Sequence, residues 1–111
     1  MSRGRIVVVD DKPALAELVV ADLDEAGYSA SAAHSADEAL ATVAAEPVDV
    51  VVTDLRMPGR SGIDLCRELI LRFPEVPVIV MTAFGSLDAA VEAMRAGAYD
   101  FITKPFEFAT L

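Results

Sequence analysis

Five polar residues stand at the ends of apolar, β-branched runs: Asp10 and Asp11 after RIVVV, Asp54 in VDVVVTDL, Thr82 in VPVIVMT and Lys104 after YDFIT. Carboxylates, a hydroxyl and an ammonium are the groups that hold a hard cation and phosphoryl oxygens. A carboxylate can also attack phosphorus itself, forming an aspartyl phosphate. Taken singly, each has an ordinary explanation. An aspartate after a strand is a turn former or helix cap, a strand-end threonine is a β-former, and a lone lysine is solvated. The chemistry therefore depends on whether the fold gathers them.

The elements that would do so alternate along the chain. Strong β-branched runs occur at 5–10, 48–55 and 76–82, with weaker ones at 28–33 and 99–103. The strong runs are apolar with little alternation, as in strands of a parallel sheet covered on both faces. Helical patterns lie between them. Pro13 opens the first, Leu15, Leu18, Val19 and Leu23 recur along it, and Gly27 closes it. Ser35-Ala-Asp-Glu38 has capping-box spacing for a second helix, which Pro47 follows. A third spans Gly62 to Phe73 and ends at Pro74. Ser86 caps a fourth with a Leu87, Val91 and Met94 stripe and a Gly97 stop, and a fifth starts near Phe106. This pattern predicts an α/β fold: a flavodoxin-like, doubly wound (βα)5 sandwich with a parallel five-stranded sheet of order 2-1-3-4-5.

In that order strands one, three, four and five are neighbours, and their carboxyl ends share one edge. Asp10, Asp11, Asp54, Thr82 and Lys104 then converge on one crevice, where such sheets bind ligands. Three carboxylates so crowded repel one another. One like-charged pair at 4 Å costs about 4 kcal/mol at an effective dielectric near 20. A divalent ion relieves the repulsion, and an all-oxygen set favours Mg²⁺, Mn²⁺ or Ca²⁺ over zinc. An aspartate beside Mg²⁺, a lysine and a hydroxyl is equipped to accept a phosphoryl group.

Composition narrows the alternatives. The chain has 111 residues, 54% of them hydrophobic, enough for one domain with a real core. Its one cysteine, Cys66, excludes a disulfide framework and reads as a small buried hydrophobe. No membrane span or signal peptide is apparent, so a cytoplasmic location is expected. The formal charge of −9 and the lack of a basic stripe argue against direct nucleic-acid binding by this stretch.

The motifs DD (10–11), TDLRMPGRSG (53–62), MTAFG (81–85) and GAYDFITKPF (97–106) together resemble the receiver domain of two-component response regulators. The resemblance covers almost the whole chain. It implies that Asp54 is the phosphoacceptor and that Asp10, Asp11, Asp54 and the backbone carbonyl of Arg56 hold Mg²⁺, with Mn²⁺ as an alternative. It further implies that Thr82 and the backbone of Ala83 bind phosphoryl oxygens and that Lys104 pairs with the phosphorylated group. Pro105 would follow a cis peptide bond, and Phe101 would be the aromatic that rotates as Thr82 moves. The implied partner is a sensor histidine kinase, docking on helix one and donating from a phosphohistidine. Phosphorylation would rearrange the helix four–strand five–helix five face and allow a phosphorylation-dependent homodimer. Such a domain assists its own phosphorylation and dephosphorylation and is not a turnover enzyme.

MTAFG and GAYDFITKPF lean toward receivers of the nitrogen-regulation (sigma-54 activator) type, whose chains continue into an ATPase and a DNA-binding domain. Only six residues follow Pro105, where a mean helix needs about 11–12, so a natural chain continuing past 111 with a transcriptional output is expected. Residues 1–111 then form a single receiver domain.

Rival chemistries fit less well. A haloacid-dehalogenase-like phosphatase wants a second aspartate two residues after the nucleophile, where Arg56 stands. A flavin-binding domain wants a phosphate-cradling loop after strand one, where Asp10 and Asp11 would repel phosphate. A receiver-like scaffold that is never phosphorylated usually lacks an acid or the lysine. His34 reads as a surface residue, Met57 and Met81 as packing, and Lys12 as a bystander. Pro58-Gly59 and Ser61-Gly62 read as shaping the loop beside Asp54.

Overall fold

Valine-rich runs and helical segments alternate into five parallel strands and the helices that cover them. A computed structural model describes residues 4–55, 57, 61–83 and 87–104. The elements run β1 Arg5–Val9, α1 Pro13–Glu25, β2 Ser29–Ala33, α2 Ala36–Ala45, β3 Val50–Asp54, α3 Gly62–Arg72, β4 Val78–Ala83, α4 Leu87–Arg95 and β5 Asp100–Lys104. The sheet order is β2-β1-β3-β4-β5, as the pattern predicted, and every pairing is parallel. The expected fifth helix, the Ser86 cap and Pro105 lie outside the described residues.

Period-two alternation sorts the strand side chains onto two cores. Val7, Val9, Val51, Val78 and Val80 pack with Leu40, Val43, Leu65, Cys66 and Leu69 of α2 and α3. Ile6, Val8, Val52 and Met81 pack with Leu23 of α1, flanked by Val19 and Val20. Met57 packs partly buried against the first cluster, so both methionines singled out in the sequence are packing residues.

Two helix faces differ from the expected stripes. Leu15 and Leu18 of α1 are exposed, Leu18 at 60%, and the buried positions are Ala16 and Leu23. In α4, Val91 and Met94 face outward, and Ala90, Ala93 and the following Ala96 are buried. Alanine lets a helix axis lie close to the sheet, so small residues form the seam and larger apolar ones are displaced to its margins.

Helix ends follow their chemistry closely. Gly27 and Gly97 both adopt positive φ, near +100°. After α1, Gly27 N–H donates to the Asp24 carbonyl and Tyr28 N–H to that of Leu23. After α4, Gly97 N–H donates to the Met94 carbonyl and Ala98 N–H to that of Ala93. Each pair is a Schellman stop, which an L side chain at the glycine would strain. At α2 the expected box forms only in part. Ser35 Oγ accepts from Glu38 N–H, but the Glu38 carboxylate reaches past Ser35 to accept from His34 N–H. The complete reciprocal box is at α3, between Ser61 and Asp64.

Cys66 is fully buried, and its thiol donates to the Ala96 carbonyl over 3.8 Å, tying α3 to the end of α4. Burial pushes its pKa up from the ordinary 9.0, partly opposed by Arg67. The protonated thiol is the form the fold favours. Stability tied to it is complete below the ordinary value and is lost as pH rises through the folded value. Denaturant midpoints should therefore fall more steeply above pH 9 in the native protein than in Cys66→Ala; parallel curves would contradict this account. A second contrast tests the core. Leu69 is 0% and Leu71 82% exposed on the same helix. Leu69→Ala is expected to cost about 2–5 kcal/mol in urea unfolding, and Leu71→Ala less than about 0.5 kcal/mol.

Candidate functional site

The register of the sheet sets the site. Val9 pairs with Thr53 and Asp54 with Met81, so Asp10, directly after β1, stands level with the end of β3. Asp10 N–H extends the β1–β2 ladder by donating to the Ala33 carbonyl at 3.0 Å. Further along the same edge, Thr82 pairs with Thr103, and Ala83 with Lys104. Thr82 thus lies one rung above the Asp54 level and Lys104 two rungs above it, on adjacent strands. The main-chain positions are those expected. The side chains of Thr82, Ala83 and Lys104 lie outside the described part of the structure, as does Arg56.

Asp10, Asp11 and Asp54 each offer a carboxylate oxygen, and these atoms lie within 4.8 Å of one another. Asp10 and Asp54 are buried, at 1% and 7% exposure. Asp10 Oδ1 accepts from Lys12 N–H at 3.0 Å, so Lys12 serves the site through its main chain, and the residue itself is exposed. Asp11 Oδ1 is buried without a hydrogen-bond partner among the described residues. A buried acceptor lacking a donor is costly unless something positive completes it. Three clustered carboxylate oxygens, with an orphaned oxygen on one of the three residues, fit a hard divalent cation and offer no nitrogen or sulfur that would select zinc. His34 is exposed and does not join the acidic cluster.

The chain beyond Asp54 is held at a narrow neck. Leu55 N–H donates to the Met81 carbonyl at 3.1 Å, and Gly62 N–H donates to the Leu55 carbonyl at 2.8 Å. These bonds draw the start of α3 against the end of β3. One strand residue back, the Thr53 hydroxyl, fully buried, donates to the Asp54 carbonyl at 3.0 Å. Sequence reasoning passed over this hydroxyl. Its signal was a second polar residue, beside Asp54, in the otherwise apolar run VVVTD.

Phe101 is level with Val80 and packs partly buried against the α2–α4 core. With Ala90, Val91, Met94 and Arg95 it lines an apolar hollow beside α4. The expected switch aromatic therefore sits between the sheet edge and the outward face of α4.

Residues 6–111 match the response regulator receiver domain family. Response regulator protein PilR of Pseudomonas aeruginosa is 41% identical over all of this chain, which spans 25% of that protein. The DNA-binding transcriptional regulator NtrC of Salmonella typhimurium is 40% identical over 96% of the chain and 23% of its own length. This chain thus spans about a quarter of these curated relatives. The crystal structure of the receiver domain of NtrX from Brucella abortus superposes with a TM-score of 0.86 at 38% identity, covering 92% of this chain and 87% of that one. Sequence and fold agree along nearly the entire length, and this chain belongs to the receiver domain family of two-component response regulators.

Proposed function

We propose that this domain accepts a phosphoryl group on Asp54 from the phosphohistidine of a sensor kinase and passes the change to its α4–β5 face. The observation that carries the reading is the convergence of three carboxylates within 4.8 Å on the sheet edge where Thr82 and Lys104 stand in the last rungs of neighbouring strands. Asp54 closes its strand at the centre of that edge, between Asp10 on one side and the end of β4 on the other.

In the reaction a carboxylate oxygen of Asp54 attacks phosphorus as the P–N bond to the kinase imidazole breaks. The bonding pair leaves with the imidazole nitrogen, which takes up a proton. Asp10, Asp11, Asp54 and the Arg56 carbonyl would hold the metal. Bound Mg²⁺, or Mn²⁺ in its place, supplies positive charge against the phosphoryl oxygens. Lys104 provides a second fixed positive charge, and Thr82 with the Ala83 main chain provides donors to those oxygens. The orphaned Asp11 Oδ1 supports the metal assignment. Carboxylates attack a dianionic phosphoryl group only when positive charge offsets their own.

Two exposed surfaces fit the signalling role. Leu15 and Leu18 stand exposed on α1, which starts two residues after Asp11, where a kinase helix could dock. Val91 and Met94 are each 44% exposed beside Phe101, on the face that Thr82 and Phe101 would rearrange. In the whole protein this face would control a further, transcriptional domain or a phosphorylation-dependent homodimer.

Incubation with Mg²⁺ and acetyl phosphate, read by intact mass, is expected to add one hydroxylamine-labile phosphoryl group to the native protein and none to Asp54→Asn. Phosphorylation of Asp54→Asn at the native rate would place the acceptor elsewhere. Crowding also has a metal-free signature. Without divalent ions, Asp11→Asn should raise thermal stability by about 1 kcal/mol through relief of like-charge repulsion. The same variant should lose the Mg²⁺-induced rise in melting temperature, which for a saturating ligand at 100 times Kd corresponds to about 2.7 kcal/mol. Retention of the full Mg²⁺ effect would remove Asp11 from the ligand set.

A further inference from the structure

We propose that Thr53 and Gly62 act as a paired clamp on the main chain of Asp54, positioning its carboxylate without touching the phosphoryl group. This rests on Asp54 being the phosphoacceptor and concerns how the chain aims it. Two independent features meet on one atom, the Asp54 carbonyl oxygen. From below, the Thr53 hydroxyl donates to it at 3.0 Å. From the side, the first residue of α3 packs so tightly that a Cβ on Gly62 would overlap this oxygen and lie 2.9 Å from Leu55 Cα.

Gly62 has no positive φ, so backbone conformation does not require glycine there. Close approach does. The obstructing atoms are backbone, which cannot turn aside as a flexible side chain can. Thr53 is likewise misplaced if packing alone is considered. It is 0% exposed and pairs with Val9 and Val80, both fully buried valines of the α2–α4 core. Valine would fill that space with the same shape and no polar atom to satisfy. The hydroxyl is accounted for by the carbonyl it serves.

The mechanical consequence follows from connectivity. Orientation of the 54–55 peptide sets the direction in which the chain leaves the strand. Leu55 N–H on Met81 and Gly62 N–H on the Leu55 carbonyl fix the next two links. The Ser61–Asp64 capping box anchors the far side of the neck. Together these contacts hold the main chain just after the Asp54 Cα, while the sheet pairing of Asp54 with Met81 sets the strand leading into it, so its carboxylate meets Asp10, Asp11 and an incoming phosphorus in a constant geometry. Small misplacements of a reacting group cost rate disproportionately.

The test uses Thr53→Val, Thr53→Ser and Gly62→Ala, with Asp54→Asn as the unphosphorylated control. At saturating Mg²⁺, Thr53→Val is expected to slow phosphorylation by acetyl phosphate about three- to tenfold, the effect of losing one aiming hydrogen bond. Thr53→Ser, which keeps the donor, should recover to within about twofold of native. Gly62→Ala should slow it more than about tenfold. Thr53→Val should melt no lower than native, which separates aiming from folding. If Gly62→Ala does not fold, the Val–Ser pair decides alone. Equal rates for native, Thr53→Val and Thr53→Ser would overturn the clamp. Amide exchange provides a readout independent of phosphorylation. Thr53→Val should speed exchange at Leu55 and Gly62 and leave the α1 amides unchanged. Loosened amides in a protein that never takes up phosphate would fault the acceptor reading and leave the clamp standing. Unchanged amides would fault the clamp.

Discussion

Mutual repulsion among Asp10, Asp11 and Asp54 is the constraint around which the molecule is arranged. Their oxygens approach within 4.8 Å at the edge of a sheet whose interior is almost entirely valine, isoleucine and alanine. Low-dielectric surroundings strengthen every charge interaction, so the same burial that makes the cluster costly makes its response to a cation or a phosphoryl group large. A parallel sheet is what permits this placement. Its strand carboxyl ends all lie on one edge, and each loop leaving that edge can carry one polar group without breaking the apolar core beneath.

The two cores serve that edge in different ways. On the α1 side, Ile6, Val8, Val52 and Met81 lead along their strands to the level of the acids. On the other side, alanines at 90, 93 and 96 bring α4 close to the sheet and leave Val91 and Met94 outside. A helix seated on small side chains has few interlocking knobs to hold its position. Its C-terminal end is tied to α3 through Cys66 and through Gly97, where a Cβ would overlap Ile70 Cδ1. The anchored end and the weakly keyed length suit an element whose position responds to the sheet edge.

Much of this was legible in the sequence. Strand runs rich in valine and helix stops at Gly27 and Gly97 are strong signals, because each reflects a local rule, and the acids gained their meaning from the sheet order those signals imply. The sheet order and the convergence of the three acids followed from them. On α1 the expected stripe was half right, since Val19 and Leu23 pack and Leu15 and Leu18 do not, and the α4 seam was not legible. Hydrophobic periodicity weights large residues, and here alanines pack while Leu15, Leu18, Val91 and Met94 remain outside. The Glu38 carboxylate turning to His34, and the full box at Ser61–Asp64, depended on loop geometry that spacing alone does not encode. Thr53 was hidden for a simpler reason: threonine is common in strands, and only the hydroxyl's partner reveals its purpose.

The hydrogen bond between Gly62 and Leu55 has a consequence for how α3 and the acidic edge are coupled. It fastens the start of the helix to the last peptide of the strand, like a pin between two plates. With no Cβ to hold them apart, the two meet backbone to backbone at Asp54 and Leu55. A push on α3 from outside is thereby delivered to the main chain of Asp54 with little slack. The helix is a lever whose short arm ends at the acids.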